Sequence, residues 1–451
     1  MHRFIVVGGG AGGLELATRL GDRYGHKNKA GTRAQVTLVD RNPTHIWKPL
    51  LHEVAAGSMD PFTQELEYAA QARWHGFEFQ QGELTGLDRA NRRLTLGTVL
   101  DDDGAELLPE RQLEYDTLII AIGSTTAFFG VKGAPEFSLA LDTVSQAERF
   151  RKRLIAACMR AEHQAHEPVE SGPGTSPSSE PRIQVAIVGG GATGVELSAE
   201  LRNTAQVLSA YGLHKLDPRH DVGIVLIEAG PRILPALQER VSTATAELLT
   251  KLGVKLMTSE TVAEVAPGII RTASGKTVRA DLTVWAAGIK APAILSQLDG
   301  LPVNRLGQLN VRRTLQTEID DNVFALGDCA ACPWPGNEKN VPPRAQAAHQ
   351  QASFLLKALA ARLENRPLPE FTYRDFGSLV SLVSLGHFSA VGNLMGGVIG
   401  GNMLIEGLFA RFMYMSLYRL HIAALHGYAR MVLDTFAHWL RRTTLPRVKL
   451  H

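Results

Sequence analysis

Residues 3–20 read RFIVVGGGAGGLELATRL, and residues 182–201 read RIQVAIVGGGATGVELSAEL. Each begins as a short apolar, β-branched run, halts at a glycine cluster and resumes with apolar residues at helical spacing. That pattern predicts a strand, a tight turn and a helix. Another β-branched strand ending in an acid follows each copy: VTLVD closes at Asp40 and VGIVLIE at Glu228. A further strand-like run is repeated as well, DTLIIAIG at 116–123 and ADLTVWAAG at 280–288. Strand, helix and strand in alternation, given twice, predict an α/β protein.

In the first copy Gly8, Gly10 and Gly13 form G-x-G-x-x-G, with Gly12 inside the same cluster; in the second the glycines are Gly189, Gly191 and Gly194. Directly after a strand and at the opening of a helix, this is the fingerprint of a Rossmann-like dinucleotide-binding domain. The first glycine permits the turn, the second lets the backbone approach a pyrophosphate, and the third lets helix and strand pack closely while helix N–H groups face the anion. The terminal acids, Asp40 and Glu228, are placed to accept ribose hydroxyls. Asp40 stands further from its glycines than the simplest spacing of about 20 residues, and GHKNKAGTRAQ (25–35) reads as the insertion responsible. One such glycine cluster is a weak signal, since ordinary strand-to-helix turns carry glycines too. Two copies, each with its acid, are a strong one. Glu228 also repels a 2′-phosphate, which favours NADH over NADPH, with Arg232 as the side chain that would soften the preference. Two dinucleotide sites in one chain suggest that one dinucleotide reduces the other, as a nicotinamide reduces a flavin.

The remaining composition narrows the setting. The chain has 451 residues, with 47 basic and 45 acidic side chains giving a net charge of +2, so it offers no electrostatic footprint for nucleic acid. Its three cysteines, Cys158, Cys329 and Cys332, are too few for a disulfide framework and fit a reducing compartment. A strand starting at residue 3 leaves no room for a secretory signal. The stretch QAHEPVESGPGTSPSSEPR (164–182) cannot pack a core and reads as a disordered loop or linker. Residues 376–405 contain no Asp, Glu, Lys or Arg, but their glycines and asparagines favour β-hairpins over a spanning helix. The tail, 403–451, carries seven basic residues against Glu406 and Asp434. Arg419, Arg430 and Arg441 stand eleven apart, on one helical face, which suits a helix lying in a membrane surface.

The order VVGGGAGG, AIG, VGGGATGVE, AAG and ALGDCA is similar to the flavoprotein reductases of glutathione-reductase-like architecture, with two Rossmann-like domains. The resemblance implies FAD on the first fingerprint and NADH on the second, Gly123 and Gly288 in the AIG and AAG turns beside the cofactors, and Asp328 against the flavin's ribityl and phosphate portion. RNPTHIWKPLLHEVAAGSMD (41–60), PPRAQAAHQQA (342–352) and GSLVSL (377–382) resemble more narrowly the type II NADH dehydrogenases, the single-subunit, non-electrogenic NADH:quinone oxidoreductases, in their proteobacterial form. This likeness spans essentially the whole chain. It implies that Gln346 and Gln350, from the element Ala345, Gln346, Ala348, Gln350, contact quinone together with Leu379, that Gln346 and Lys48 also lie against the flavin, and that Glu196 stands near the nicotinamide. It further implies a flavin domain in two segments (1–145 and 292–375), an NADH domain (146–291) and a membrane-associating C-terminal helical region (376–451). The partners implied are NADH, a membrane quinone and the membrane surface, on the cytoplasmic face of the bacterial inner membrane, with a homodimer as a possible assembly. Some members carry a lysine just before the glycine of the GSL-like segment; here it is Phe376, so quinone protonation falls to another group, with His349 or solvent as the candidates.

Other readings stay open at this level. Two glutamines four apart share one helical face and offer amide donors without charge, yet such a pair is ordinarily a solvated face. Glu196 also reads as a first-turn acid favoured by the helix dipole. Cys329 and Cys332 form C-x-x-C, but with no second pair to complete a zinc site, and packing near the flavin is the commoner role. His45, His52, His349 and His387 show no metal-ligand spacing, so no metal is assigned. Cysteine-pair disulfide reductases are excluded, because residues 1–157 contain no cysteine. A sulfide:quinone or ferredoxin-type reductase remains an alternative, as does a non-catalytic nucleotide-sensing membrane scaffold.

Overall fold

The computed structural model describes residues 1–26, 34–63, 65–164, 180–210, 213, 215–375, 380–385, 389–394, 403–406, 419 and 421–442. In chain order the elements that matter are β1 (His2–Val7), α1 (Ala11–Tyr24), β2 (Ala34–Asp40), α2 (Leu51–Ala56), β3 (Glu78–Gln81), β4 (Thr117–Ile120) and α3 (Val144–Gln164). The second repeat follows as β5 (Ile183–Val188), α4 (Ala192–Ala210), β6 (Val222–Ile227), α5 (Glu239–Lys251), β7 (Val254–Met257) and β8 (Leu282–Trp285). The chain then returns through β9 (Val323–Ala325) and α6 (Ala345–Leu363), and ends in β10 (Val380–Leu385), β11 (Ser389–Leu394), β12 (Met403–Glu406) and α7 (Tyr428–Arg442).

These elements group into two compact units. The first comprises Met1–Trp47, Gln64–Thr125 and Ile289–Asp375. Its sheet has the order β9-β4-β1-β2-β3, parallel throughout. Its inner strands, β1, β2 and β4, are near-continuous hydrophobic runs and are buried along most of their length. Phe4, Leu14, Leu16, Leu20, Leu38, Ile119 and Phe324 are buried in this core, and each contributes roughly 1.5–3 kcal/mol of burial. Gly10 caps α1 without a side-chain hydrogen bond, and no acid occupies its first turn.

The second unit comprises Lys48–Thr63, Thr126–Gly288 and Phe376–His451. Its sheet, β7-β6-β5-β8, repeats the first without a counterpart of β9. Trp285 anchors the core against Val188, Ile227 and Ile270, and its indole N–H donates to the Ala127 carbonyl at 2.9 Å. The grouping differs from the segments expected: Lys48–Thr63 and 126–145 belong with the nucleotide repeat rather than with 1–145, 289–291 fall with the first unit, and 376–451 group with the second unit rather than apart. The reason is local packing. The Thr204 hydroxyl, on α4, donates to the Ala56 carbonyl at the end of α2 at 2.7 Å, and His52 of α2 is buried beside Glu196.

The glycine-rich segment after Asp375 forms strands β10, β11 and β12 in one antiparallel sheet, the hairpin structure its composition favours. Among the described residues, no helix is long and apolar enough to cross a membrane.

Candidate functional site

The first glycine loop is built for close approach. Gly8 adopts φ +104°, donates to the Val39 carbonyl at 2.7 Å, and passes so near the Ala121 backbone that a Cβ would sit 2.4 Å from its oxygen. A Cβ on Gly13 would lie 1.9 Å from the Gly8 oxygen, and one on Gly12 would meet Leu326 and Ala348, so these two glycines serve packing inside the unit. Gly10 and Gly123 have open space where a Cβ would stand, with φ +70° at Gly123. Asp40 accepts from the Gly9 N–H at 2.6 Å on one oxygen and from Asn42 N–H at 2.8 Å on the other. Burial pushes this carboxyl upward, and those two hydrogen bonds oppose the push. The second oxygen also accepts from the Asn42 side-chain amide at 3.3 Å, and the oxygen facing Gly9 keeps lone-pair capacity for a hydroxyl.

Two side chains that the sequence did not connect to this loop hold it from outside. The Tyr68 hydroxyl donates to the Gly9 carbonyl at 2.8 Å, and His45 Nδ1 contacts the same oxygen at 2.9 Å. Burial drives His45 down to about 4. The ring is therefore neutral near pH 7 and carries its proton on Nδ1, facing the carbonyl.

The second loop repeats the backbone and changes the clamps. Gly189 has φ +110° and donates to the Ile227 carbonyl at 2.8 Å; a Cβ on Gly194 would lie 2.0 Å from the Gly189 oxygen; Gly191 faces open space. Glu228 accepts from the Gly190 N–H at 2.6 Å and from Gly230 N–H at 2.7 Å. The Gly190 carbonyl is met by the backbone N–H of Leu234 at 2.7 Å, where the first loop uses Tyr68 and His45. Arg232 donates to the Leu234 and Pro235 carbonyls at 3.3 and 3.0 Å, so its guanidinium is already committed. Gly288, φ +119°, packs against Phe129.

The return segment completes the first unit. Gly327 takes φ +73° and donates to the side-chain oxygen of Gln351 at 2.7 Å. Asp328 accepts from the Ser124 hydroxyl at 2.8 Å through its carboxylate and from Gln308 at 2.9 Å through its carbonyl. Gln351 is buried, one residue past the expected pair, and nothing in its sequence context sets it apart from Gln350. Cys329 and Cys332 are buried thiols, both pushed up to about 12 by that burial, and Cys329 donates to the Leu326 carbonyl.

On α6, Gln346 and Gln350 both donate to the Arg374 carbonyl, at 3.3 and 2.8 Å, and the Gln350 oxygen accepts from Arg374 N–H at 3.0 Å. The two glutamines thus meet on one backbone unit. In the second unit, Lys48 pairs with Asp142 at 2.9 Å, and Asp142 also accepts from Thr126 N–H. Glu196 is buried with an oxygen 3.6 Å from His52 Nδ1. Burial lowers the His52 imidazole against the opposing pull of Glu200. Leu379 and Phe376 lie outside the described residues. Among the described residues no cluster of His, Cys, Asp and Glu has the makings of a metal site.

Residues 2–352 match the pyridine nucleotide-disulphide oxidoreductase family. The whole chain is 43% identical, over 453 residues covering all of both proteins, to the type II NADH:quinone oxidoreductase of Haemophilus influenzae. The chain belongs to that family. It is also 25% identical to the Staphylococcus aureus type II NADH:quinone oxidoreductase, across 88% of this chain and 91% of that one. Among solved structures, NDH2 from Plasmodium falciparum in complex with NADH matches over all of this chain and 99% of its own, with TM-score 0.79 at 18% identity. The sulfide:quinone oxidoreductase of Aquifex aeolicus matches over 95% and 92% at TM-score 0.71 and 19% identity. Both structural likenesses concern the fold alone. The type II family assignment rests on the full-length identity.

Proposed function

We propose that this chain is an FAD-dependent NADH:quinone oxidoreductase that takes a hydride from NADH and delivers two electrons to a membrane quinone without pumping protons. The observation that carries the reading is the duplicated cradle: two glycine loops with the same backbone, each locked to its own carboxylate, in a chain 43% identical end to end to a relative of that name. FAD, when bound, supplies the chemistry of accepting a hydride and releasing two electrons.

The residues present fit both dinucleotides. The open faces at Gly10 and Gly191 leave room for a pyrophosphate, and the uncapped start of α1 offers N–H groups to it. Asp40 and Glu228, each oriented by two backbone N–H groups, offer acceptors to ribose hydroxyls. With Arg232 committed to carbonyls, Glu228 disfavours a 2′-phosphate, so NADH is the donor. On this reading Gly123 and Asp328 serve the flavin, and Gly288 and Glu196 the nicotinamide nucleotide. Gln346 and Gln350 keep a second amide hydrogen each for a quinone carbonyl. The protein's part is position and exclusion of water, not a covalent nucleophile.

The C-terminal region carries a helix suited to a membrane surface. On α7, Tyr428, Val432 and Phe436 recur every four residues and, with Leu433, are more than half exposed, while Arg430 stands among them. A helix of that kind seats in a headgroup layer by apolar burial and by attraction to anionic lipid, about 1 kcal/mol per basic residue. That helix supports a peripheral enzyme, and the resemblance alone suggests the cytoplasmic face of the inner membrane.

Anaerobic titration of the purified yellow protein with NADH tests the function. Bleaching of the flavin band by one equivalent, and its return on adding a ubiquinone or menaquinone analogue, is the expected outcome. A colourless protein, or one bleached by sulfide and not by NADH, overturns it. Removing the residues after Glu406 should release the protein from membranes and impair lipophilic quinone reduction while NADH still bleaches the flavin.

A further inference from the structure

Between Gln346 and Gln350, on the same two turns of α6, stands His349. Its side chain is 52% exposed, yet its Nδ1 lies 2.6 Å from a carboxylate oxygen of Glu15 on α1. Glu15 is 1% exposed. Its other oxygen pairs with Arg19 Nη2 at 2.7 Å, and Arg19 reaches on to the Ser353 hydroxyl at 2.8 Å. A carboxylate is costly to bury, and this one meets an arginine on one oxygen and, on the other, one nitrogen of an imidazole whose other edge faces outward.

That geometry does something specific to the ring. A carboxylate on Nδ1 accepts a proton that stays there, which fixes the neutral tautomer and leaves Nε2 as the atom that takes up and gives up protons. We infer that His349 is the proton donor to quinone in the second half of the reaction and that Glu15 is its positioning residue. The inference rests on the reading of Gln346 and Gln350 as quinone contacts. The balance is as follows. NADH, quinone and one proton give NAD⁺ and quinol; the hydride brings two electrons and one hydrogen, and one proton is still owed. The Nε2–H bond of the His349 imidazolium breaks as an O–H bond forms on the reduced quinone, and neutral His349 recovers its proton from water. The charged groups packed around this turn are Glu15 and Arg19 from α1, with Arg344 and Asp375 paired at the start of α6, so solvent reaches the ring without crossing an apolar layer.

The test separates the half-reactions. In His349→Gln, stopped-flow oxidation of the NADH-reduced enzyme by a short-chain ubiquinone should slow by about 100-fold, the usual worth of a positioned general acid, with a changed solvent isotope effect. NADH bleaching of the flavin is the folding control. In His349→Gly, free imidazole should restore part of the lost rate. In Glu15→Gln, nitrogen-15 NMR of the histidines should show His349 passing from a single Nδ1–H tautomer to a mixture, which a mere brace between helices would not require. Quinone oxidation in His349→Gln at the wild-type rate, or no imidazole rescue in His349→Gly, overturns the inference. If instead the wild-type enzyme bleaches with NADH and reoxidises with no quinone, it is the quinone reading that fails.

Discussion

The two units share a sheet order, a loop and an acid, and they differ in what grips the loop. In the first, the Gly9 carbonyl is held by two buried side chains, Tyr68 and His45, and the cradle is closed by the Gly327–Asp328 turn, some 300 residues away in sequence. In the second, the Gly190 carbonyl meets a backbone N–H from Leu234, only 44 residues along, and no return strand is added. A cradle assembled from distant parts of a chain opens only when much of the unit does, whereas one made from neighbouring segments opens locally. The difference suits a resident flavin in the first unit and a dinucleotide that leaves after every turnover in the second.

The sharpest way to break this comparison is to fill the same position in both loops. Gly13→Val and Gly194→Val each drive a side chain into a carbonyl oxygen about 2 Å from the Cβ position, so each abolishes its own loop. Gly13→Val should purify without flavin, read as loss of the visible absorption band. Gly194→Val should stay yellow and fail to bleach at NADH concentrations that saturate the wild type. A yellow Gly13→Val protein with normal NADH bleaching would reverse the assignment of cofactors to loops.

Removing the acids comes next in size. Asp40→Ala and Glu228→Ala each delete a charge-assisted pair worth about 1.5–3 kcal/mol, or roughly ten- to a hundredfold in affinity. For Glu228→Ala the loss appears as a raised KM for NADH together with a smaller preference over NADPH. For Asp40→Ala it appears as flavin dissociating from the folded protein, followed by ultrafiltration. Steady-state kinetics with both nucleotides checks the first, and an unchanged NADPH discrimination would show that Glu228 does not face the ribose.

Acid tests the grip on the first loop by a smaller margin. His45 has a folded pKa of about 4 against about 6.5 when unfolded, so the unfolded chain binds the proton more readily. Stability is therefore complete above about pH 6.5 and falls as pH drops toward 4, by about 2 kcal/mol at pH 5. His45→Gln removes this slope, and the difference in melting temperature between the two proteins should shrink or invert from pH 7.5 to pH 5. Flavin release below pH 5 should follow the same titration, because the protonated ring gives up its place against Gly9.

The strands, both glycine loops and their acids were legible in the sequence because each depends on local pattern: period, φ and close approach belong to a few adjacent residues. The roles given to the glutamine pair, Asp328 and Lys48 rest on resemblance alone. What stayed hidden is long-range. Tyr68, His45, Ser124, Gln308 and Gln351 act through hydrogen bonds to residues 20 to 204 positions away, and a tyrosine or glutamine that makes such a bond looks like any other. The grouping of Lys48–Thr63 with the second unit escaped for the same reason, since Thr204 and Ala56 are 148 residues apart.

The smallest effect concerns the cysteines of the return segment, the part of the first unit that the second lacks. A redox pair needs a thiolate in reach of its partner, and a thiol pushed up to about 12 supplies almost none near pH 7. Cys329 and Cys332 are both fully enclosed, and Cys329 uses its S–H on the Leu326 carbonyl beside Gly327. They behave as small apolar fillers that set the height of the Asp328 turn. Replacing both by serine puts two hydroxyls into that packing, which costs on the order of 1–3 kcal/mol of stability if they find no partner, and should leave the NADH-to-quinone rate within about twofold. A rate falling with the number of cysteines removed, in protein that still holds its flavin, would mean that electrons pass through sulfur, and the first unit would then differ from the second in chemistry as well as in grip.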